Sequence, residues 1–100
     1  MSALRLDLNV PTFQRDLFGL EKAERHAVLN TLARLYTLDW DTLSRASGLN
    51  WEKVHSRTGP NGETLYTLCV SQKNRLLCTR TGDTLHLISI HPDHDSAHGR

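Results

Sequence analysis

The residues in this chain best suited to chemistry lie in its last third. Arg75 follows Lys73 by two positions, and the stretch His91-Pro92-Asp93-His94-Asp95 leads to His98. Arginine offers a planar, permanently charged fork that grips a phosphate through two hydrogen bonds and stabilises charge building on it. Histidine moves protons near neutral pH, and a neighbouring aspartate orients it. These types together suit acid/base work on a charged substrate, with His91, His94 and His98 as proton carriers and Asp93 beside them.

The residues alone leave other readings open. Arg75 could equally be a solvated arginine at a strand end, since charged side chains are mostly exposed. The tail could contact RNA, could be a solvated terminus without a role, or could gather His91, His94 and His98 with Asp93 or Asp95 around a metal ion. Its spacing matches no established zinc pattern and no cysteine lies nearby, so neither a metal nor any other cofactor is expected. His26 and His55 have no aspartate in register. His86 is placed to share a face with Arg75. Trp40 and Trp51 are expected to pack as core or edge aromatics. The chain has no glycine-rich phosphate loop, no nucleophile elbow and no Ser/His/Asp order.

Patterning shows which elements must position these groups. Leu4, Leu6, Leu8 and Val10 alternate with polar residues, which predicts a strand over 3–10. Pro11 then opens a helix carrying Phe13, Leu17 and Leu20, and Gly19 leaves either one bent helix or two consecutive ones. From Glu21, the residues Ala23, Ala27, Val28, Leu32 and Leu35 form one apolar stripe, with Glu24 outside it. A third helix is expected over 39–46, capped by Asp39, with Trp40 and Leu43 on its buried side and Gly48 as its stop.

After Trp51 the period changes to two. Strands are expected over 51–57, 65–70, 76–81 and 84–90, broken by the turn cluster at 58–62, a short connection around Gln72, and the hairpin turn Gly82-Asp83. Counting back from Gly82-Asp83 pairs Arg80 with Leu85, Cys78 with Leu87 and Leu76 with Ser89. These would line the helix-covered core, with Arg80 at its rim. Arg75, Leu77, Thr79, His86, Ile88 and Ile90 would share the other face. Helices followed by an antiparallel meander define an α+β fold, with N-terminal helices on one face of a small, mainly antiparallel sheet.

Bulk properties set the bounds. One hundred residues, 38% hydrophobic and 23% charged, suit a single domain with one core. A net charge of +1 excludes a strongly basic nucleic-acid binder, so any phosphate contact must come from local placement of lysines and arginines. No apolar run approaches the roughly 18 residues of a membrane span, and no signal-peptide core is visible. Two cysteines, Cys69 and Cys78, are too few for a disulfide scaffold. A cytoplasmic protein with reduced thiols is expected.

The order of elements, and above all WEKV…GETLYTLCVSQKNRLLCTRTGDTLHLISIHPDHD, resembles the RelE/ParE superfamily of bacterial toxins from type II toxin–antitoxin modules. Leu68-Cys69-Val70, Arg75, Gly82-Asp83 and the tail after Ile90 occupy the places of the superfamily's short motifs. The resemblance implies a toxin held inactive by a cognate antitoxin protein. RelE-like members cut mRNA in the ribosome without a metal, the ribose 2′-OH attacking the adjacent phosphate. ParE-like members instead inhibit DNA gyrase.

Carried over by position, the resemblance makes Arg75 the strand-opening arginine and places His91, Asp93, His94 and His98 among the C-terminal functional residues. Lys53 and Lys73 become phosphate contacts. The chain departs from the pattern at Cys69, where many members have arginine, and in lacking a tail tyrosine. The expectation is a ribosome-dependent mRNA endonuclease that inhibits translation. The alternative is a non-catalytic inhibitor of gyrase, or a degenerate toxin that only binds its antitoxin.

Overall fold

The computed structural model describes residues 4–59 and 61–92. Among them, three helices precede most of a five-stranded sheet, the α+β arrangement the pattern predicts. Pro11 starts α1 (Pro11–Phe18), where its fixed φ suits the first turn and its missing N–H is no loss. Phe13 and Leu17, one turn apart, form its buried side. Gly19 closes it with its N–H on the Arg15 and Leu17 carbonyls, so the chain makes two helices rather than one bent one.

Helix α2 (Lys22–Tyr36) buries Val28, Thr31, Leu32 and Leu35. Ala23, expected on that stripe, is exposed in the first turn. Glu24, expected outside it, turns partly inward and accepts hydrogen bonds from Ser71 Oγ at 3.0 Å and Asn74 Nδ2 at 2.7 Å. That contact fastens the helix to the turn before Arg75.

Helix α3 is a single turn, Trp40–Leu43, shorter than expected. Asp39 caps it: its carboxylate accepts from Thr42 N at 2.9 Å while Thr42 Oγ1 accepts from Asp39 N at 3.1 Å. The Thr42 backbone N–H, before other causes, holds the Asp39 carboxyl below its usual range.

The strands are β1 (Arg5–Asp7), β2 (Glu52–Lys53), β3 (Leu65–Cys69), β4 (Asn74–Thr81) and β5 (Thr84–Pro92), in the order β1-β5-β4-β3-β2. β1 runs parallel to β5, and the other pairs are antiparallel. Two strands are shorter than their alternation suggests. Asp7 accepts a hydrogen bond from the N–H of Asn9 at 2.9 Å, which turns the chain out of β1 toward Pro11. After Lys53 the chain keeps one further ladder bond, Val54 N to Leu65 O at 2.8 Å, and then leaves for its turn cluster.

The β4–β5 register contains the main correction. Gly82, at φ +57°, takes the turn position that demands a positive φ, and Arg80 pairs with Leu85 and Cys78 with Leu87 as expected. Leu76, however, faces Ile90 rather than Ser89, because the register shifts between Leu77 and Cys78. Ile88 is the extra residue of this bulge. Helix α1 serves the edge beside it: Thr12 Oγ1 donates to Ile88 O at 2.6 Å, and Ile90 N donates to Asp16 Oδ2 at 3.0 Å. Ile90, expected on the outer face, therefore enters the core at 8% exposure.

One core results. Leu68, Leu76, Cys78, Leu85, Leu87 and Ile90 from the sheet meet Phe13, Leu17, Val28, Leu32 and Leu35 from the helices. At its rim Trp51 stacks on Tyr66 with ring centroids 4.4 Å apart, Trp40 leans on Trp51, and the Arg80 guanidinium lies 3.8 Å above Trp40.

Candidate functional site on the far face of the sheet

The bulge decides which side chains meet on the face turned away from the helices. Beyond Ile88 the alternation of β5 is reversed, so Ser89 pairs with Leu77 and His91 with Arg75. Arg75 in turn pairs with Cys69 on β3, while Thr67 stands between Leu77 and Glu52 of β2. Four strands thus bring Glu52, Thr67, Cys69, Arg75, Ser89 and His91 to one end of the face.

Arg75 is the hub. One Nη donates to Thr67 Oγ1 at 2.8 Å and reaches Glu52 Oε1 at 3.5 Å, and the other lies 3.7 Å from Cys69 Sγ. The guanidinium side chain is 24% exposed and the Glu52 side chain 68%. The arginine is thereby held in place at the surface, with its partner carboxylate open to solvent. Across β4, the exposed His91 shares a 2.7 Å hydrogen bond between its Nε2 and Ser89 Oγ, which fixes the ring. A guanidinium thus has a carboxylate on one side and an imidazole on the other, the set needed to hold a phosphate while one proton is taken and another given.

A second pair occupies the same face nearer the β1 edge. His86 Nδ1 and Asp7 Oδ2 are 2.7 Å apart, and both side chains are about one-third exposed, at 30% and 32%. The hydrogen bond with His86, and next that from Asn9 N–H, holds the Asp7 carboxyl below its usual range. Leu77 and Thr79, both buried, close the surface between the two clusters.

The two thiols contrast. Cys69 is half-buried on this face, whereas burial alone pushes the Cys78 thiol up to about 12.

The structure joins only some of the residues singled out by sequence. Arg75 and His91 stand directly opposite each other on adjacent strands. Lys73 is exposed in the β3–β4 turn, its N–H bonded to Ser71 Oγ at 3.0 Å. Lys53 pairs with Tyr66 and sits on the opposite face from Glu52 and Arg75. Asp93, His94 and His98 lie outside the described residues. Among the described residues no three His, Cys, Asp or Glu side chains converge as metal ligands would.

Sequence reasoning missed Glu52, Thr67, Ser89 and Asp7. Thr67 could have been found by counting outward from the turn Ser71–Lys73, which pairs Cys69 with Arg75 and Thr67 with Leu77. Nothing local in the sequence announces that Asp7 meets His86.

Comparison with known proteins bears on the fold. No family profile matches the chain, and no curated protein matches its sequence. Among solved structures, it is similar to the archaeal RelE in the RelE–RelB complex from Pyrococcus horikoshii OT3. That match has a TM-score of 0.66 at 14% identity and covers 94% of this chain and 99% of the other. It is also similar to a copper-bound mutant toxin from Helicobacter pylori, with a TM-score of 0.50 at 18% identity, covering 93% and 96%. The chain has the RelE-like toxin fold. No helix among the described residues is long and apolar enough to cross a membrane.

Proposed function

We propose that this chain is the toxin of a toxin–antitoxin pair and that it cleaves single-stranded RNA, as mRNA on the ribosome, at the Glu52–Arg75–His91 cluster. The observation that carries this reading is the placement of Arg75 between a carboxylate and an imidazole on the far face of a RelE-like sheet. Arg75 grips the phosphate and stabilises the charge that develops on its oxygens. The ribose 2′-OH attacks that phosphate after giving its proton to one of the two flanking groups. The other group protonates the departing 5′ oxygen. The products are a 2′,3′-cyclic phosphate and a 5′-hydroxyl, and neither proton step needs a metal. Ser89 orients His91, and Thr67 and Cys69 hold Arg75 in place. Lys53 and Lys73 are outlying phosphate contacts. His94 and His98, with Asp93, extend the acid/base and substrate-binding set along the tail.

A cognate antitoxin is the natural partner of such a toxin, as the archaeal neighbour was crystallised with RelB. The competing reading is a protein that only binds, to gyrase or to an antitoxin. It has the net charge of +1 on its side, because affinity for RNA rests largely on phosphate contacts.

Purified protein added to programmed ribosomes separates the two. Cleavage with a 2′,3′-cyclic end, strongly reduced in Arg75→Ala and reduced in both Glu52→Gln and His91→Gln, is the expected result. Intact mRNA with folded wild-type protein would refute the nuclease, and inhibition of gyrase supercoiling by the same preparation would establish the binder.

A further inference from the structure

The Arg75 cluster does not end at the strand tips. Past Cys69 it continues round the edge of the sheet into a groove between the end of β3, the loop after α3 and the outer side of α2. Two adjoining hollows of about 330 and about 370 Å³ make up this groove, and they share Gly48, Cys69 and Val70. Cys69 belongs to the groove and to the cluster: its Sγ is 3.7 Å from Arg75 and 3.4 Å from Asn50 Nδ2. At the far end lies Arg34, whose Nη1 would stand 4.0 Å from a Cβ placed on Gly48. Asn30 lines one hollow, and Asn50 and Gln72 line the other.

We propose that this groove binds the nucleotide next to the cleaved linkage of single-stranded RNA. The inference rests on the nuclease reading of the Arg75 cluster and gives it a specificity element. Four observations support RNA over a peptide. Arg34 lines one hollow and Arg75 adjoins the Cys69 that both hollows share, two cations for the flanking phosphates of a nucleotide. The walls between carry side-chain amides, which donate and accept at once and so match base edges. No Asp or Glu among the described residues lines either hollow; the two carboxylates nearby are engaged, Glu24 by Ser71 and Asn74 and Glu52 by Arg75. Each hollow alone is at the small end of the range of about 300–1,000 Å³ for small-ligand pockets, enough for one base or its sugar rather than a helix face. Leu49 and Val70 provide the apolar side against which a base can lie flat. Asn50 holds a left-handed φ of +49° beside Cys69, a conformation asparagine tolerates better than most residues.

The probe is a fully 2′-O-methylated triadenylate, which cannot be cut, titrated into the full chain and followed by backbone amide NMR. Saturable shifts at Gly48, Asn50 and Gln72 together with Arg75 are expected. The exposed double variant Arg34→Ala/Gln72→Ala should keep the wild-type melting temperature and weaken binding about tenfold, the lower end of what base contacts supply. On programmed ribosomes the same variant should raise KM more than it lowers kcat and flatten the preference among nucleotides beside the cut. Shifts confined to Arg75 and His91, or a groove perturbed by an antitoxin segment but not by RNA, overturn the proposal. Groove binding without cleavage by the wild type supports the subsite and refutes the nuclease reading. Cleavage with a silent groove does the reverse.

Discussion

Cys69 and Cys78 lie on the same small sheet and in different media. Cys78 is 0% exposed among leucines, and its thiol is pushed up to about 12. Cys69, on the other face, touches an arginine and an asparagine and borders open grooves. The neighbours Leu76 and Leu77 are both buried, at 0% and 7%, but only Leu76 belongs to the core cluster under the helices. The helix-covered face is built to exclude water and its members act together through packing. The far face places polar groups one by one at strand ends. Damage to the first should therefore cost stability, and damage to the second should cost activity.

The largest expected effect is on the packed face. Phe13 is fully buried, so Phe13→Ala should destabilise by about 3–5 kcal/mol, a large part of the total of a domain this size. Denaturant unfolding followed by fluorescence or circular dichroism reads this directly. A loss under about 1 kcal/mol would mean the two faces do not differ as described.

Arg75→Ala is the opposite case. Removing one preorganised group that stabilises transition-state charge typically costs 10²- to 10³-fold in rate. RNA cleavage should fall by about that factor while stability falls by no more than about 1–2 kcal/mol, because the pair with Glu52 is screened by solvent and the hydrogen bond to Thr67 is a single part-buried one. If stability and cleavage fell in proportion, Arg75 would belong to the scaffold and the contrast would break.

The bulge lies where the two faces exchange. Asp16→Ala removes the acceptor for Ile90 N–H, and the loss should be about 1–2 kcal/mol for a part-buried hydrogen bond to a carboxylate. Because Ile90 is next to His91, cleavage should drop further than the stability loss explains. An unchanged cleavage rate in the folded variant would show that His91 does not depend on this anchor.

The smallest effect is electrostatic. The Asp7 carboxyl is held low by its hydrogen bond to His86, so the stability it contributes is fully present above the ordinary carboxylate value of 3.8. It is lost as pH falls through the lower folded value. Asp7→Asn should cost under about 1 kcal/mol near neutrality, since both groups are partly solvated, and the difference from wild type should vanish below that value. A difference that grew as the pH fell would contradict the assignment.

Much of this was legible in the sequence, and the limits have physical causes. Period-two alternation located β3, β4 and β5, and the Gly82-Asp83 turn fixed the register as far as Cys78–Leu87, because a two-residue turn leaves no freedom in counting. The count failed one step later. Ile88 is as good a strand former as its neighbours, so the bulge leaves no mark in composition and is set by what α1 can reach. Arg75 and His91 were both singled out, but on residue type and resemblance, since the unbulged register does not pair them. Glu52 was hidden because β2 is only two residues long, too short for a period to show which side faces Arg75. Asp7 was hidden because alternation says that a strand exists and not which strand it joins.

The joining of β1 to β5 has a consequence for synthesis. Asp7 and His86 are 79 positions apart, and β1 stands at the sheet edge with β5 as its one neighbour among the described strands. The second neighbour of β4 is also β5. While a ribosome is still making the chain, the early strand and helices have no finished surface to settle on, and this long-range closure waits until the last strand is free. The sheet therefore closes only after β5 has been made. The cluster at Arg75 and His91 forms with it, so a chain that has not yet made β5 carries no assembled cluster.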